Sequence, residues 1–398
     1  MKEFKQSNLL QALPDQFFAK LSKKVAEAVH EGRDIINLGQ GNPDQPTFPH
    51  IVEALKQAAD RPINHKYSPF KGFPYIKQAC AEFYKREYGV EVDPEREVAL
   101  LFGGKTGLVE LPQVLLNSGD LVLVPDPGYP DYWSGIALAG AEMYRMPLKK
   151  ENRFLPQYEA IPEEICKRAK LLFINYPNNP TGAVADLEFF EQTIEFAHKH
   201  EICVVHDFAY GAIGFDGKKP VSYLEADRAK ATGLEIYTLS KTYNMAGWRV
   251  GFAVGNPSVI AALELLQDHL HCSIFGAVQE AAAAALLSSQ ECVYEQAKLY
   301  ERRRDVWMKG LSDIGWEADA PAGSFFTWLK VPDGYTSEQF SDLLLNEANI
   351  AVAPGAGFGA HGEGYVRAGM LASEERIREA IDRLKKINIF KKNVDSQA

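Results

Sequence analysis

Basic charge is in deficit in this 398-residue chain: 43 Lys and Arg stand against 53 Asp and Glu, a formal net charge of −10. A nucleic-acid binder needs a basic face to meet the phosphate backbone, so that class of function is excluded. The run Glu301-Arg302-Arg303-Arg304 sits among acidic neighbours and reads as a solvated helix face. Cysteine is scarce as well. Cys80, Cys166, Cys203, Cys272 and Cys292 are odd in number, scattered and without a CxxC pair, so neither a disulfide framework nor a zinc site is indicated. Such thiols suit a reducing compartment. Long apolar runs are missing: Met1-Lys2-Glu3-Phe4-Lys5 lacks the core of a signal peptide, and the run 281–287 is far short of a membrane span. The expectation is a soluble cytoplasmic protein with no metal, membrane or nucleic-acid partner.

What is present is enough to build a large core. A hydrophobic fraction of 46% with 24% charged residues is that of a globular chain, and the length suits two domains. Residues 15–31 place Phe17, Phe18, Leu21, Val25 and Val29 at helical spacing, ending near Gly32. Ile35-Ile36-Asn37-Leu38 then leads into the turn-rich Gly39–Asp44. From about residue 49, helical patterns (105–116, 186–199, 257–270) alternate with apolar strands (98–102, 121–125, 170–175, 202–206, 235–239, 250–254). Strands separated by long crossovers predict a largely parallel sheet covered on both faces, with ligands beyond the carboxyl ends of its strands. After about residue 290 the rhythm becomes α+β. A charged helix (291–312) precedes strands at 324–330, 350–353 and 364–368, and a last helix is capped by Ser373. The predicted division is an arm over 1–48 that joins a small domain, a large domain over 49–290, and the small domain over 291–398.

Four motifs fall at the predicted strand ends. In Thr238-Leu239-Ser240-Lys241-Thr242-Tyr243-Asn244-Met245-Ala246-Gly247-Trp248-Arg249, a strand delivers a lysine and an arginine follows eight residues on. A lysine amine attacks carbonyls only when its surroundings lower its pKa, and Arg249 would help to do so. The hydroxyls of Thr238 and Ser240 with Arg249 are also the groups that grip a phosphate. In Cys203-Val204-Val205-His206-Asp207-Phe208-Ala209-Tyr210 an acid ends a strand, with a tyrosine three residues later; alone, this is equally a helix cap. Turn chemistry accounts for Pro and Gly in Asn175-Tyr176-Pro177-Asn178-Asn179-Pro180-Thr181-Gly182, but not for two adjacent asparagines. Phe102-Gly103-Gly104-Lys105-Thr106-Gly107 runs from strand through a glycine turn to a helix, which suits an anion at the helix N-terminus. Ala99 stands where the first glycine of a nucleotide P-loop belongs, so a nucleotide site is disfavoured.

Together these blocks resemble the class I and II aminotransferases, pyridoxal-phosphate (PLP) enzymes of fold type I, over nearly the whole chain. The blocks around Lys241 and Asn179 carry the likeness most specifically. It implies an α/β fold, with a large domain whose mostly parallel central sheet is sandwiched by helices and a smaller α+β domain. It also implies PLP as cofactor and a homodimer with shared active sites. Lys241 would be the Schiff-base lysine and then the proton shuttle. Asp207 would pair with the pyridine nitrogen, keeping the ring an electron sink. Tyr210 and Asn179 would hold the phenolic oxygen, and Gly104, Lys105, Thr106, Thr238, Ser240 and Arg249 the phosphate. Tyr129, in Asp126-Pro127-Gly128-Tyr129-Pro130, would stack on the ring, although an ordinary core tyrosine also fits there. Tyr67 would reach the phosphate of the neighbouring subunit. Arg367 would clamp the substrate α-carboxylate in a bidentate fork, with Asn179 and the amide of Gly41 beside it. Thr238 replaces a serine common in the family and keeps the hydroxyl.

Within the family, Gly103-Gly104-Lys105, the stretch 126–135 and Asp207-Phe208-Ala209-Tyr210-Gly211 are similar to a bacterial methionine-salvage group. That group aminates 4-methylthio-2-oxobutanoate with glutamine by a ping-pong mechanism. The phrases resemble alanine and diaminopimelate aminotransferases less fully. Aromatic or aspartate aminotransferase activity, a carbon–sulfur β-lyase and a PLP-sensing regulator are the other readings. The regulator lacks room and basic charge for a DNA-binding module. No second arginine lies in a motif that points into the cleft, which favours an uncharged substrate side chain. Phe17, Phe18 and Tyr132 are the aromatic candidates for its lining, with helix packing an equal account of the two phenylalanines.

Overall fold

The runs Val98–Leu101, Leu121–Asp126 and Gly233–Thr238 are buried from end to end, and Ala169–Ile174 nearly so. Strands read this way when both faces of their sheet are covered, because each successive side chain then meets a layer of helices. The computed structural model describes residues 1–387, 389 and 390, so the last part of the predicted 291–398 unit, positions 388 and 391–398, lies outside the described residues. The four runs belong to a seven-stranded sheet. Its order from edge to edge is Val98–Leu101, Gly251–Gly255, Gly233–Thr238, Cys203–Asp207, Ala169–Ile174, Leu121–Asp126 and Glu142–Pro147.

Six of these strands run in one direction; Gly251–Gly255 is antiparallel to both its neighbours. The link before it holds only the four-residue helix Leu239–Thr242 and the turn Ala246–Trp248, with no helix to carry the chain across a face of the sheet. The chain therefore turns straight back, and Gly251 pairs with Thr238. This reversal returns Arg249 to the edge where Lys241 emerges. The edge strand Glu142–Pro147 was not expected from the sequence. It is half-exposed and interleaves Glu142 and Arg145 with apolar residues, so it lacks the continuous apolar run of the inner strands.

The smaller sheet is antiparallel, ordered Ala353–Pro354, Tyr365–Gly369, Phe326–Lys330. The predicted strand 350–353 is split: Ile350–Ala351 instead pairs, in parallel, with Ile36–Asn37 of the N-terminal segment. Ile36 and Leu38 thereby join a core with Trp307, Leu311, Phe340 and Val366. Two other cores flank the large sheet. No helix among the described residues is long and apolar enough to cross a membrane.

Candidate active site

A cavity of about 540 Å³ opens at the carboxyl edge of the large sheet and is closed on its far side by Phe326 and Arg367 of the smaller one. Its size is that of a small-molecule site. Every residue singled out above as a site residue lines it, except Thr106 and Tyr67.

Lys241 owes its place to a cap. The strand Gly233–Thr238 ends on Thr238, whose hydroxyl oxygen accepts the Ser240 amide at 3.2 Å and starts the turn that carries Lys241. Lys241 Nζ donates to the carbonyl of Gly41. Burial, then the charges of Arg367 and Arg249, lower its pKa to about 8, with Asp207 pulling the other way. Such an amine is neutral often enough near pH 7–8 to act as nucleophile or base.

Asp207 closes the neighbouring strand. Its Oδ2 accepts the hydroxyl of Tyr132 at 2.8 Å, and its backbone carbonyl accepts Asn175 Nδ2 at 2.7 Å. Burial pushes the carboxyl up to about 6, while Tyr132, His206 and Lys241 hold it down. Asn175 also receives the amide of Asn179 at 2.7 Å, so one side chain ties two strand ends together. The adjacent asparagines divide the work. Asn178 Oδ1 accepts the amide and hydroxyl of Thr181 and builds the turn, whereas Asn179 lines the cavity.

Arg367 projects from Tyr365–Gly369 and is 1% exposed. Nη1 donates to Asn179 Oδ1 and Nη2 to the carbonyl of Gly39, each at 2.8 Å, and Nε has no partner among the described residues. The guanidinium lies 3.9 Å from the centre of the Phe326 ring, 4.9 Å from Phe358 and 5.2 Å from Phe18. Burial lowers its pKa to about 10. A buried cation bonded only to neutral oxygens, with Nε–H and one hydrogen on each Nη left over, is costly until an anion joins it.

The opposite corner is built for a second anion. Gly103 has φ +86°, and a Cβ there would lie 2.4 Å from Arg249 Nη2, so only glycine lets the arginine pass. Arg249 is fixed by donation to the carbonyls of Ala246 at 2.9 Å and Phe102 at 3.3 Å. The helix Gly104–Leu115 begins at this point, beside the hydroxyls of Thr238 and Ser240. Lys105 pairs with Asp131 at 2.9 Å. Thr106 stays off the cavity wall, its hydroxyl donated to Phe102 at 3.0 Å and its amide to Gly103 at 3.1 Å. Tyr67 is 88% exposed and contributes nothing to the cavity of its own chain.

The aromatic lining differs from expectation. Phe18 lines the cavity; Phe17 does not, and packs instead on Phe358 at 5.8 Å and against Gly357. Tyr132 is fully buried beneath the wall, because its hydroxyl is drawn to Asp207 and its ring stacks on Phe173 at 4.7 Å. Phe326 takes its place in the lining and was missed. Trp328 pairs directly with Arg367, so Phe326, two residues away, shares its face of the sheet. Only the strand register reveals this, and no local motif records register.

The aminotransferase class I and II family model matches residues 33–384. The chain is 64% identical over 394 residues to the L-glutamine–4-(methylsulfanyl)-2-oxobutanoate aminotransferase of Bacillus subtilis (strain 168), covering 99% of both chains. It is 46% identical over 378 residues to the LL-diaminopimelate aminotransferase of Moorella thermoacetica, covering 95% of this chain and 97% of that one. The solved structure of substrate-bound BacF from B. subtilis superposes with a TM-score of 0.94 at 49% identity, over 98% of this chain and 100% of that one. The α/β architecture is that of fold type I. From the strand-end lysine to the full-length match, the findings agree: the chain belongs to the class I and II aminotransferases.

Proposed function

We propose that the protein moves the amino group of glutamine to 4-methylthio-2-oxobutanoate, giving methionine, with PLP held in the cavity. The observation that carries the site reading is the buried, anion-seeking Arg367 in one cavity with a lysine whose pKa is lowered to about 8. The substrate pair is supported by the relative that is 64% identical over almost the whole chain. PLP, when bound, supplies an aldehyde for the lysine amine and a protonated ring that withdraws electrons from the substrate Cα.

The chain's residues then divide the task. Lys241 Nζ takes the proton from the substrate Cα and returns it on the far side of the transfer. The Asp207 carboxylate holds a proton on the ring nitrogen. Tyr210 and the amide of Asn179 hold the phenolic oxygen; the Asn179 oxygen is already given to Arg367, which leaves its N–H groups to donate. Gly104, Lys105, Thr238, Ser240 and Arg249 hold the phosphate, with Thr106 shaping the turn. Tyr129 lies against the ring. Arg367 takes the α-carboxylate in a two-pronged bond, beside the amide of Gly41.

Side-chain preference follows from charge. Besides Lys241 and Arg367, the cations on the wall are Lys105 and Arg249 at the phosphate corner, and Lys105 is already paired. A distal carboxylate would meet Phe18 and Phe326 without a counter-ion, at a cost of several kcal/mol. A thioether makes soft contacts with the same rings. We place the protein in the cytoplasm as a homodimer, with Tyr67 reaching the neighbouring subunit's site; its exposure in the single chain suits that role. The domain boundaries near residues 48 and 290 belong to the same reading.

The test compares kcat/KM for 4-methylthio-2-oxobutanoate, phenylpyruvate and oxaloacetate with glutamine as donor. The thioether oxo acid is expected to lead. A lead for oxaloacetate overturns the substrate reading and leaves the aminotransferase reading intact. Pyruvate released from a cysteine conjugate without added oxo acid would indicate a carbon–sulfur β-lyase instead.

A further inference from the structure

We propose that Tyr132 is a positioning residue, which holds the Asp207 carboxylate and joins it rigidly to the segment that carries Tyr129. The proposal rests on the PLP reading above and adds a residue that touches neither cofactor nor substrate. Three observations carry it. The Tyr132 hydroxyl donates to Asp207 Oδ2 at 2.8 Å, the one side-chain hydrogen bond on that carboxylate among the described residues. The tyrosine is 0% exposed and its ring is clamped, stacked on Phe173 at 4.7 Å with the planes 6° apart. A second ring beside it is Tyr129, edge-on at 5.8 Å.

The segment 129–132 therefore reaches three parts of the site at once. Tyr129 lines the cavity, Asp131 holds Lys105 of the glycine turn at 2.9 Å, and Tyr132 holds Asp207. The Tyr132 amide closes on the Tyr129 carbonyl at 3.2 Å as the helix Asp131–Leu138 begins, so the three side chains share one turn of backbone. A ring stacked on Tyr129 would thus have the height of its plane and the position of its nitrogen partner set by one rigid element. A hydrogen bond to an ionised acceptor is among the stronger ones a protein makes, and in a buried site its loss is not replaced by water.

The hydroxyl has a second, electrostatic consequence. Burial raises the Asp207 carboxyl, and the Tyr132 hydroxyl opposes that, together with the His206 and Lys241 side chains and the Ala209 backbone amide. Cofactor binding that needs ionised Asp207 is lost as pH falls through its pKa. Removing the hydroxyl raises that pKa, so the acid limb of cofactor affinity moves to higher pH. A tyrosine that merely fills space would leave the limb where it was.

The experiment measures the dissociation constant of PLP from pH 5 to 9 for the parent, Tyr132→Phe and Asp207→Asn, together with steady-state kinetics. For Tyr132→Phe the expected results are an acid limb displaced upward and a Kd raised about tenfold at neutral pH. Its kcat should fall about tenfold with donor KM within about twofold, since Arg367 is untouched. Replacing Tyr132 by 3-fluorotyrosine, a stronger donor of nearly the same shape, should move the limb the other way, which a packing defect cannot do. An unmoved limb and unchanged Kd in Tyr132→Phe, with Asp207→Asn inactive, overturn this proposal alone. Full turnover in Asp207→Asn overturns the role given to Asp207 and this proposal with it.

Discussion

The two walls of the cavity are built on opposite plans. The wall from the seven-stranded sheet is a row of strand ends, each presenting one polar group: Asn179, Asp207 and Lys241 follow three adjacent strands. The wall from the smaller sheet has one charge, Arg367, set among Phe18, Phe326 and Phe358. Burial shifts the groups on both walls toward neutrality, Asp207 up to about 6, Lys241 down to about 8 and Arg367 down to about 10. Lys241 and Asp207 are thereby brought into the range where protons are exchanged near pH 7. Arg367 stays charged, and its remaining N–H groups can only donate. On the proposed function, one wall serves the reaction and the other recognition.

That division predicts opposite kinetic signatures. Lys241→Ala should cut kcat at least about 10³-fold, because the proposed function gives Lys241 alone the proton at the substrate Cα. Arg367→Ala should instead raise KM for both substrates about a hundredfold, the usual scale for losing a buried charged partner, with a smaller change in kcat. Steady-state kinetics on the two variants decide the matter. If Arg367→Ala lowers kcat as far as Lys241→Ala does, the walls are not separable and the comparison fails.

The walls are nevertheless coupled, and pH measures by how much. After burial itself, the charge of Arg367 is the next cause holding the Lys241 pKa down. If Lys241 is the proposed Schiff-base lysine, only its neutral amine would react with the cofactor aldehyde, so the capture rate of cofactor-free protein should rise with pH through about 8 and level off above it. Arg367→Gln removes the repelling charge, raises the lysine pKa and moves the midpoint to higher pH. Stopped-flow absorbance on both proteins reads the two midpoints. A midpoint unmoved by the substitution would show that Arg367 acts on the substrate alone.

The reacting wall was legible in the sequence and the recognition wall largely was not. Lys241, Asp207 and Asn179 follow apolar runs long enough to read as strands, and strand ends of a parallel sheet are where ligands sit. Arg367 came only through family resemblance. Phe326 was invisible because its place depends on the pairing of Phe326–Lys330 with Tyr365–Gly369, a contact between segments about 40 residues apart. The split of 350–353 between two sheets was hidden for the same reason: the partner of Ile350 is Ile36, from the other end of the chain. In the sequence Tyr132 is only a candidate for the lining, because it follows Tyr129 closely. The first turn of the helix Asp131–Leu138 rotates it inward, toward Asp207 and Phe173. Sequence spacing identified the right segment, and helix geometry decided which side chain reaches the cavity.

The smallest expected effect separates two adjacent phenylalanines for which the sequence allowed either role. Phe17 and Phe18 both stand 5.8 Å from the ring of Phe358, so both help to pack the aromatic shell. Only Phe18 also lines the cavity and lies over the Arg367 guanidinium, at 5.2 Å. Phe17 presses against Gly357, where a Cβ would come within 2.5 Å of its ring, so its contacts are with the loop that carries Phe358. Leucine at either position keeps an apolar side chain and removes the aromatic face. Phe18→Leu should lose a sulfur–aromatic contact with the thioether and a cation–π contact with Arg367, about 0.5–1 kcal/mol each, or a five- to thirtyfold rise in KM for 4-methylthio-2-oxobutanoate. Phe17→Leu should leave KM within about twofold and lower Tm by a few degrees through looser packing. Pyruvate, which has no thioether, provides the internal control: its KM should rise less than that of the thioether oxo acid in Phe18→Leu. Equal rises for the two oxo acids would mean that Phe18 serves Arg367 and not the substrate side chain. Equal effects of Phe17→Leu and Phe18→Leu on KM would remove the distinction between lining and packing altogether.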